Sequence, residues 1–135
     1  MTDPLDRVRA EARAAMARAY APYSGFKVGA ALLCEDLSVV AGCNVENASF
    51  PVGVCAERAA LAAAVTRGQR EFKVVVIVTD AIEPTPPCGM CRQALAEFSP
   101  GMEVVSRTTA GREARWTLSD QLPSPFTPSS LPSQA

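Results

Sequence analysis

The sequence predicts an α/β fold, a three-layer α/β/α sandwich around a central mixed sheet of about five strands. Residues 72–79 contain the unbroken β-branched run Val74-Val75-Val76-Ile77-Val78, typical of a strand buried on both faces. Stretches with helical character at 4–19, 55–67 and 89–98 alternate with strand-like runs. Turn-forming residues, among them Pro22 with Gly25, Pro51 with Gly53 and Pro100 with Gly101, separate these stretches.

In chain order, Asp3 is placed to cap a helix over 4–19, Pro4 suits its first position, and Leu5, Val8, Ala12, Ala15, Met16 and Ala19 recur at helical spacing. Strands are expected over 26–33 and 39–44, joined by an exposed connection at Glu35 and Asp36 that lacks an Asn-Gly or Asp-Gly signature. The alanine-rich stretch 55–67 reads as a helix stopped by Gly68, with small side chains that suit close packing on a sheet. Residues 72–79 form the central strand. Pro84, Pro86 and Pro87 delay regular structure until a short helix over 89–98, and strands over 102–107 and 114–118 complete the sheet. The first helix is expected on one face and the other two on the opposite face. Residues 1–122 thus make a single domain, and the Pro/Ser-rich tail 123–135 is expected to be ordered around Phe126 with its last residues loose.

Thirteen basic residues against fourteen acidic ones leave a formal charge of -1. No strong field is available to gather DNA or RNA, so a small, nearly neutral ligand suits the chain better than a nucleic-acid polymer. The longest apolar runs fall far short of the about 18 residues that a membrane span needs. The first residues lack the basic start and apolar core of a secretory signal, which points to a cytoplasmic protein. Five cysteines and no histidine mean that a metal site here must use thiolates or carboxylates, and that no imidazole serves as a base.

Two segments carry the chemistry. Cys55-Ala56-Glu57 and Pro87-Cys88-Gly89-Met90-Cys91 both stand at predicted helix starts, where backbone N–H groups and the helix dipole favour thiolate. Two helices aimed at one point would present three thiolates to one zinc ion per chain, leaving the fourth tetrahedral position for water, the count of a catalytic rather than a structural site. Glu57 follows Cys55 by two residues, so at about 100° per residue its side chain turns away from the ligand direction. Beside the open position it suits general acid and base work. Each segment alone is ambiguous: a C-x-x-C binds metal, exchanges disulfides or is incidental, and a lone glutamate is usually a surface residue. In combination they match the order of the zinc deaminase signature, a ligand followed by x-Glu and later Pro-Cys-x-x-Cys. Arg58 is placed to donate to a ligand sulfur and offset the excess negative charge, or is simply solvated. Cys34 and Cys43 lie in apolar strand runs and read as buried small residues; a four-thiolate structural site would need one of them.

Beyond the zinc motif, the strings Tyr20-Ala21-Pro22-Tyr23-Ser24-Gly25-Phe26-Lys27-Val28-Gly29-Ala30-Ala31-Leu32 and Gly42-Cys43-Asn44-Val45-Glu46-Asn47-Ala48 resemble the small homotetrameric cytidine deaminases, and the resemblance spans nearly the whole chain. It implies that Cys55, Cys88 and Cys91 bind zinc, that Glu57 moves the proton and that Arg58 bonds a ligand sulfur. It further implies that Asn44 and Glu46 hold ribose hydroxyls, that Phe26 packs on the substrate and that the backbone at Ala56 and Cys88 reads the base. Leu122-Pro123-Ser124-Pro125-Phe126 is similar to a segment that carries an aromatic into a neighbouring subunit's site, so a homotetramer with shared sites is implied. From the residues alone, Asn44 and Glu46 could share one strand face, Asn47 suits a turn, Phe26 suits a core and Phe126 a loosely packed tail. Phe50 departs from the family, which often carries tyrosine there. The activity implied is hydrolytic deamination of cytidine and deoxycytidine in pyrimidine salvage. Rival readings are a deaminase of an antibiotic such as blasticidin, a polynucleotide deaminase, a thiol–disulfide exchange protein and a noncatalytic zinc-binding module.

Overall fold

A computed structural model describes residues 3–132. The strands are β1 (Val28–Cys34), β2 (Val39–Cys43), β3 (Phe72–Thr79), β4 (Glu103–Thr108) and β5 (Glu113–Thr117). The helices are α1 (Asp6–Met16), α2 (Ala56–Thr66), α3 (Gly89–Ala96) and the short α4 (Leu118–Gln121), with single 3-10 turns at Phe50–Val52 and Pro128–Ser130. One mixed sheet has the order β2-β1-β3-β4-β5, so the expected α/β/α architecture with five strands is found.

Strand β1 pairs antiparallel with both β2 and β3, which makes β2 and β3 parallel to each other. α2 carries the chain across β1 between them, and α3 crosses from β3 to its parallel neighbour β4. The carboxyl ends of β2 and β3 therefore lie at one end of the sheet, next to the loops that lead into α2 and α3. In open α/β sheets that end is where ligands bind.

Alternation along the strands divides the core into two layers. Ala31, Val76 and Val105 pack under Leu5, Val8 and Ala12 of the first helix and its lead-in, whereas Leu32, Ile77 and Val104 pack under Ala60, Leu61 and Leu95 of α2 and α3. Two glycines set how closely the helices approach. A Cβ on Gly29 would lie 1.9 Å from the Ala12 carbonyl oxygen of α1, and one on Gly42 would lie 2.4 Å from the Ala60 nitrogen of α2. Between Leu33 and Cys34 the β1–β3 register shifts, leaving Lys73 as an extra residue that turns outward to Glu35, 3.1 Å away. The shift brings Phe72 to the α2 face, edge-on to Phe98.

Several boundaries differ from expectation for local reasons. β1 begins at Val28 rather than at Phe26 because the Asn44 side chain replaces strand pairing there: its Oδ1 accepts from Val28 N–H at 2.8 Å and its Nδ2 donates to the Phe26 carbonyl at 2.8 Å. α1 starts at Asp6, after a turn in which Asp3 Oδ1 accepts from Leu5 N–H at 2.9 Å. The β1–β2 connection turns at Leu37, with φ of 72°, and Asp36 Oδ1 accepts from Ser38 N–H and Oγ. α3 closes at Ala96, where the N–H groups of Phe98 and Ser99 both reach the Leu95 carbonyl. Leu118, expected to end a strand, instead opens α4 and is fully buried under the α3 side of the sheet. Of the tail, residues 133–135 lie outside the described residues.

Candidate metal centre and active-site cavity

Cys55 and Cys88 occupy the N-cap positions of α2 and α3, and Cys91 lies in the first turn of α3. N-caps normally carry an oxygen that accepts from the free N–H groups of the first turn. At Cys88 a sulfur stands in that place without forming a side-chain capping hydrogen bond, although the nearby Met90 and Cys91 N–H groups favour its thiolate. The three sulfurs lie within 4.8 Å of one another, with Cys88 and Cys91 3.5 Å apart, and all the cysteines are free. Cys34 and Cys43 are not part of this group, so the four-thiolate arrangement does not form among the described residues.

The donor set fits a soft divalent cation. Burial pushes the Cys91 thiol far up, with the charges of Glu57 and Cys55 adding to it, and burial likewise raises Cys55. At Cys88 burial acts in the same direction but is outweighed by the helix N–H groups and the neighbouring thiols, which lower its pKa. Three thiols packed this closely at two helix starts cannot all ionise unaided, and a cation is the natural complement. Arg58 adds to the fit. Burial opposes its charge, yet Cys55 and Cys91 outweigh burial and strengthen it, while its Nε is buried with no partner and its Nη2 reaches the Gly53 carbonyl at 3.4 Å.

Glu57 is buried at 6% exposure in the first turn of α2. Burial raises its carboxyl above the ordinary range, outweighing a hydrogen bond from its own N–H and the charge of Arg58. A carboxyl so placed holds a proton more readily than a solvated one, as an acid–base group must.

A cavity of about 570 Å³ opens over Cys55 and Cys88. Its walls include Arg58, Asn44, Glu46 and Met90, and its size and mostly apolar lining suit a small organic ligand. Sequence reasoning did not single out Tyr23 and Ser24, which also line it. Both are anchored by Glu46, whose Oε1 accepts from their N–H groups at 2.9 and 3.1 Å and whose Oε2 accepts from Ser24 Oγ. Asn44 and Glu46 thus brace the 20–26 loop as well as facing the cavity. Asn47 makes a turn, accepting from Ser49 N–H at 2.8 Å. Five other candidates stand apart from the cavity wall: Glu57, Ala56 and Cys91 are buried, Phe26 is 37% exposed, and Phe126 is 58% exposed with its backbone held by Gln93. Phe50 lies edge-on to Tyr23 at 5.8 Å and is 73% exposed at the cavity mouth.

A sheet whose helix starts gather three thiols, two of them from cavity-lining cysteines, and keep a buried carboxyl two residues after the first fits a zinc-binding deaminase domain. The family model of the cytidine and deoxycytidylate deaminase zinc-binding region matches residues 3–107. A cytidine deaminase from Sporosarcina psychrophila is 42% identical over 128 residues, 94% of each chain. The crystal structure of cytidine deaminase from Burkholderia pseudomallei is similar with a TM-score of 0.87 and 43% identity, covering 93% of this chain and 100% of that one. A blasticidin-S deaminase from Bacillus cereus is more distant, 29% identical over 108 residues, covering 74% of this chain and 76% of its own. The chain belongs to the cytidine and deoxycytidylate deaminase family.

Proposed function

We infer that the protein hydrolytically deaminates cytidine and deoxycytidine, giving uridine or deoxyuridine and ammonia. The observation that carries this reading is the three-thiol cluster with buried Glu57 beneath a nucleoside-sized cavity, in a chain 42% identical to a cytidine deaminase over 94% of its length.

Cys55, Cys88 and Cys91 would hold one zinc per chain. When bound, zinc supplies a Lewis acid that makes water a nucleophile at neutral pH. Glu57 takes one proton of the attacking water at its carboxylate and gives it to N3 of the cytosine ring; C4 gains a C–O bond and loses its C–N bond, and the second proton of the water leaves with the amino group as ammonia. Arg58 offsets the negative charge of the thiolates. Asn44 and Glu46 bind the sugar hydroxyls from a rigid loop, Phe26 packs on the substrate, and the backbone at Ala56 reads the base.

Residues 1–122 form the catalytic domain, and the tail 123–135 brings Phe126 to a neighbouring subunit's cavity in a homotetramer. The exposure of Phe126 and of the apolar cavity-lining side chains Phe50 and Met90 supports that assembly. No helix among the described residues is long and apolar enough to cross a membrane, and we place the enzyme in the cytoplasm, in pyrimidine salvage.

The test is ammonia release from cytidine, deoxycytidine and blasticidin S by zinc-loaded protein of measured metal content. Turnover of both nucleosides is expected. Turnover of blasticidin S alone would transfer the chain to the antibiotic deaminases, and stoichiometric zinc without any turnover would make it a binding module.

A further inference from the structure

The two helices that carry the thiols are each braced by an arginine that reaches five residues back along the chain. Arg58 of α2 donates from Nη2 to the Gly53 carbonyl, ahead of Cys55, at 3.4 Å. Arg92 of α3 donates from Nε to the Pro87 carbonyl, immediately ahead of Cys88, at 2.8 Å. Arg92 uses its second arm differently. Its Nη1 donates to the Gln121 carbonyl at the end of α4, at 3.0 Å. One planar guanidinium therefore ties the loop before Cys88 to the C-terminal part of the chain, and its rigid fork fixes both directions at once.

The Pro87–Cys88 peptide is trans, so its carbonyl and its N–H project to opposite sides. Turning the carbonyl toward Arg92 turns the Cys88 N–H away from it. Among the described residues that N–H donates to no backbone acceptor, and Cys88 lines the cavity. The peptide plane also determines where the Cys88 sulfur sits at the start of α3, 3.5 Å from the Cys91 sulfur.

The geometry points to Arg92 as a positioning residue: by gripping the Pro87 carbonyl against α4, it sets both the Cys88 sulfur within the thiol cluster and the Cys88 N–H toward the ligand. This rests on the reading of Cys88 as a zinc ligand. Partners that orient a metal ligand typically matter about 10- to 100-fold in metal affinity or activity. The neighbouring Gln93 supplies an internal control. It also holds the C-terminal part of the chain, through paired hydrogen bonds with the Phe126 backbone at 2.8 and 3.1 Å, but it does not touch the Pro87 carbonyl.

The experiment compares Arg92→Ala, Arg92→Lys and Gln93→Ala in the full-length zinc-loaded protein. The rate of zinc release to a colorimetric chelator is measured together with KM and kcat for cytidine. Arg92→Ala should release zinc about 10-fold faster or more and raise KM, with Arg92→Lys between it and the wild type, while Gln93→Ala keeps the wild-type release rate. Zinc release and KM within about twofold of wild type in both Arg92 variants would overturn the proposal, as would equal acceleration by Gln93→Ala, which would mark a general loosening of the tail. If Arg92→Ala does not fold, Arg92→Lys decides by the same two readouts. Lack of turnover by the zinc-loaded wild type would count against the deaminase reading alone, because zinc release still judges Arg92.

Discussion

On one face of the sheet α1 closes over Gly29, and on the other α2 closes over Gly42, each helix backbone sitting where a Cβ would have to go. The faces then diverge. The α1 face ends in charge: Arg9 grips Glu113 of β5 at 2.8 and 3.0 Å and also meets Asp3 and Asp6, tying the start of the chain to the last strand. The α2 face ends in thiols and one buried carboxyl. The α1 face joins Arg9 and Glu113 in a network of opposite charges, whereas the α2 face concentrates groups that oppose each other's ionisation and need a cation to complete them. A layer whose buried charges are partnered suits stability, and an incompletely satisfied one suits chemistry.

The strongest way to separate the two faces is to alter one group on each. Glu57→Gln should lower turnover about 10²- to 10⁴-fold while zinc content and melting temperature stay at wild-type values, because the amide keeps the size of the buried side chain but can neither take nor return the proton. Arg9→Met should do the reverse, lowering the melting temperature with kcat unchanged. Retained turnover in the Glu57 variant would remove this residue from the reaction.

The two glycines come next. Gly42→Ala and Gly29→Ala should each cost about 3 kcal/mol or more in denaturant unfolding, since the added Cβ meets backbone rather than a flexible side-chain end. Gly42→Ala should in addition weaken zinc binding, because it displaces the helix that carries Cys55 and Glu57. Equal zinc affinity in the two variants would show that α2 can shift without moving the site.

The smallest effect is the pH dependence of the α1 face. The Arg9 hydrogen bonds, acting against burial, hold the Glu113 carboxyl below its ordinary 4.5. Its stabilisation is therefore complete above the unfolded pKa and is lost as pH falls through the lower folded value. Glu113→Gln should cost about 2 kcal/mol at pH 7, and the difference from wild type should shrink below about pH 4.5. A difference that stays constant down to pH 3 would show that packing, not charge, is what Glu113 contributes.

The central strand was legible because five consecutive β-branched residues leave no helical face, and it spans Phe72–Thr79 as expected. The thiol motifs were legible because ligand chemistry depends on local spacing, and Cys55, Cys88 and Cys91 do converge. What escaped depends on distant partners. Asn44 shortens β1 by bonding to residues 16 and 18 positions away, and Glu46 anchors the 20–26 loop from across a strand end. α4 escaped for a different reason: Leu118-Ser119-Asp120-Gln121 is too short to show a period, and only the burial of Leu118 fixes it. The closeness of the helices at Gly29 and Gly42 has no signal in a single sequence, because a strand glycine reads equally as a bulge or a weak point.

The sheet order carries a kinetic consequence. Cys55 follows the local β1–β2 hairpin, but Cys88 and Cys91 follow β3, which reaches β1 only after the whole α2 segment has been looped out. Closing such a loop costs chain entropy before any contact repays it, so this pairing is slow compared with the hairpin. The thiols therefore come together only when the non-local half of the sheet has docked, and the appearance of a three-thiol zinc signal during refolding would time that step.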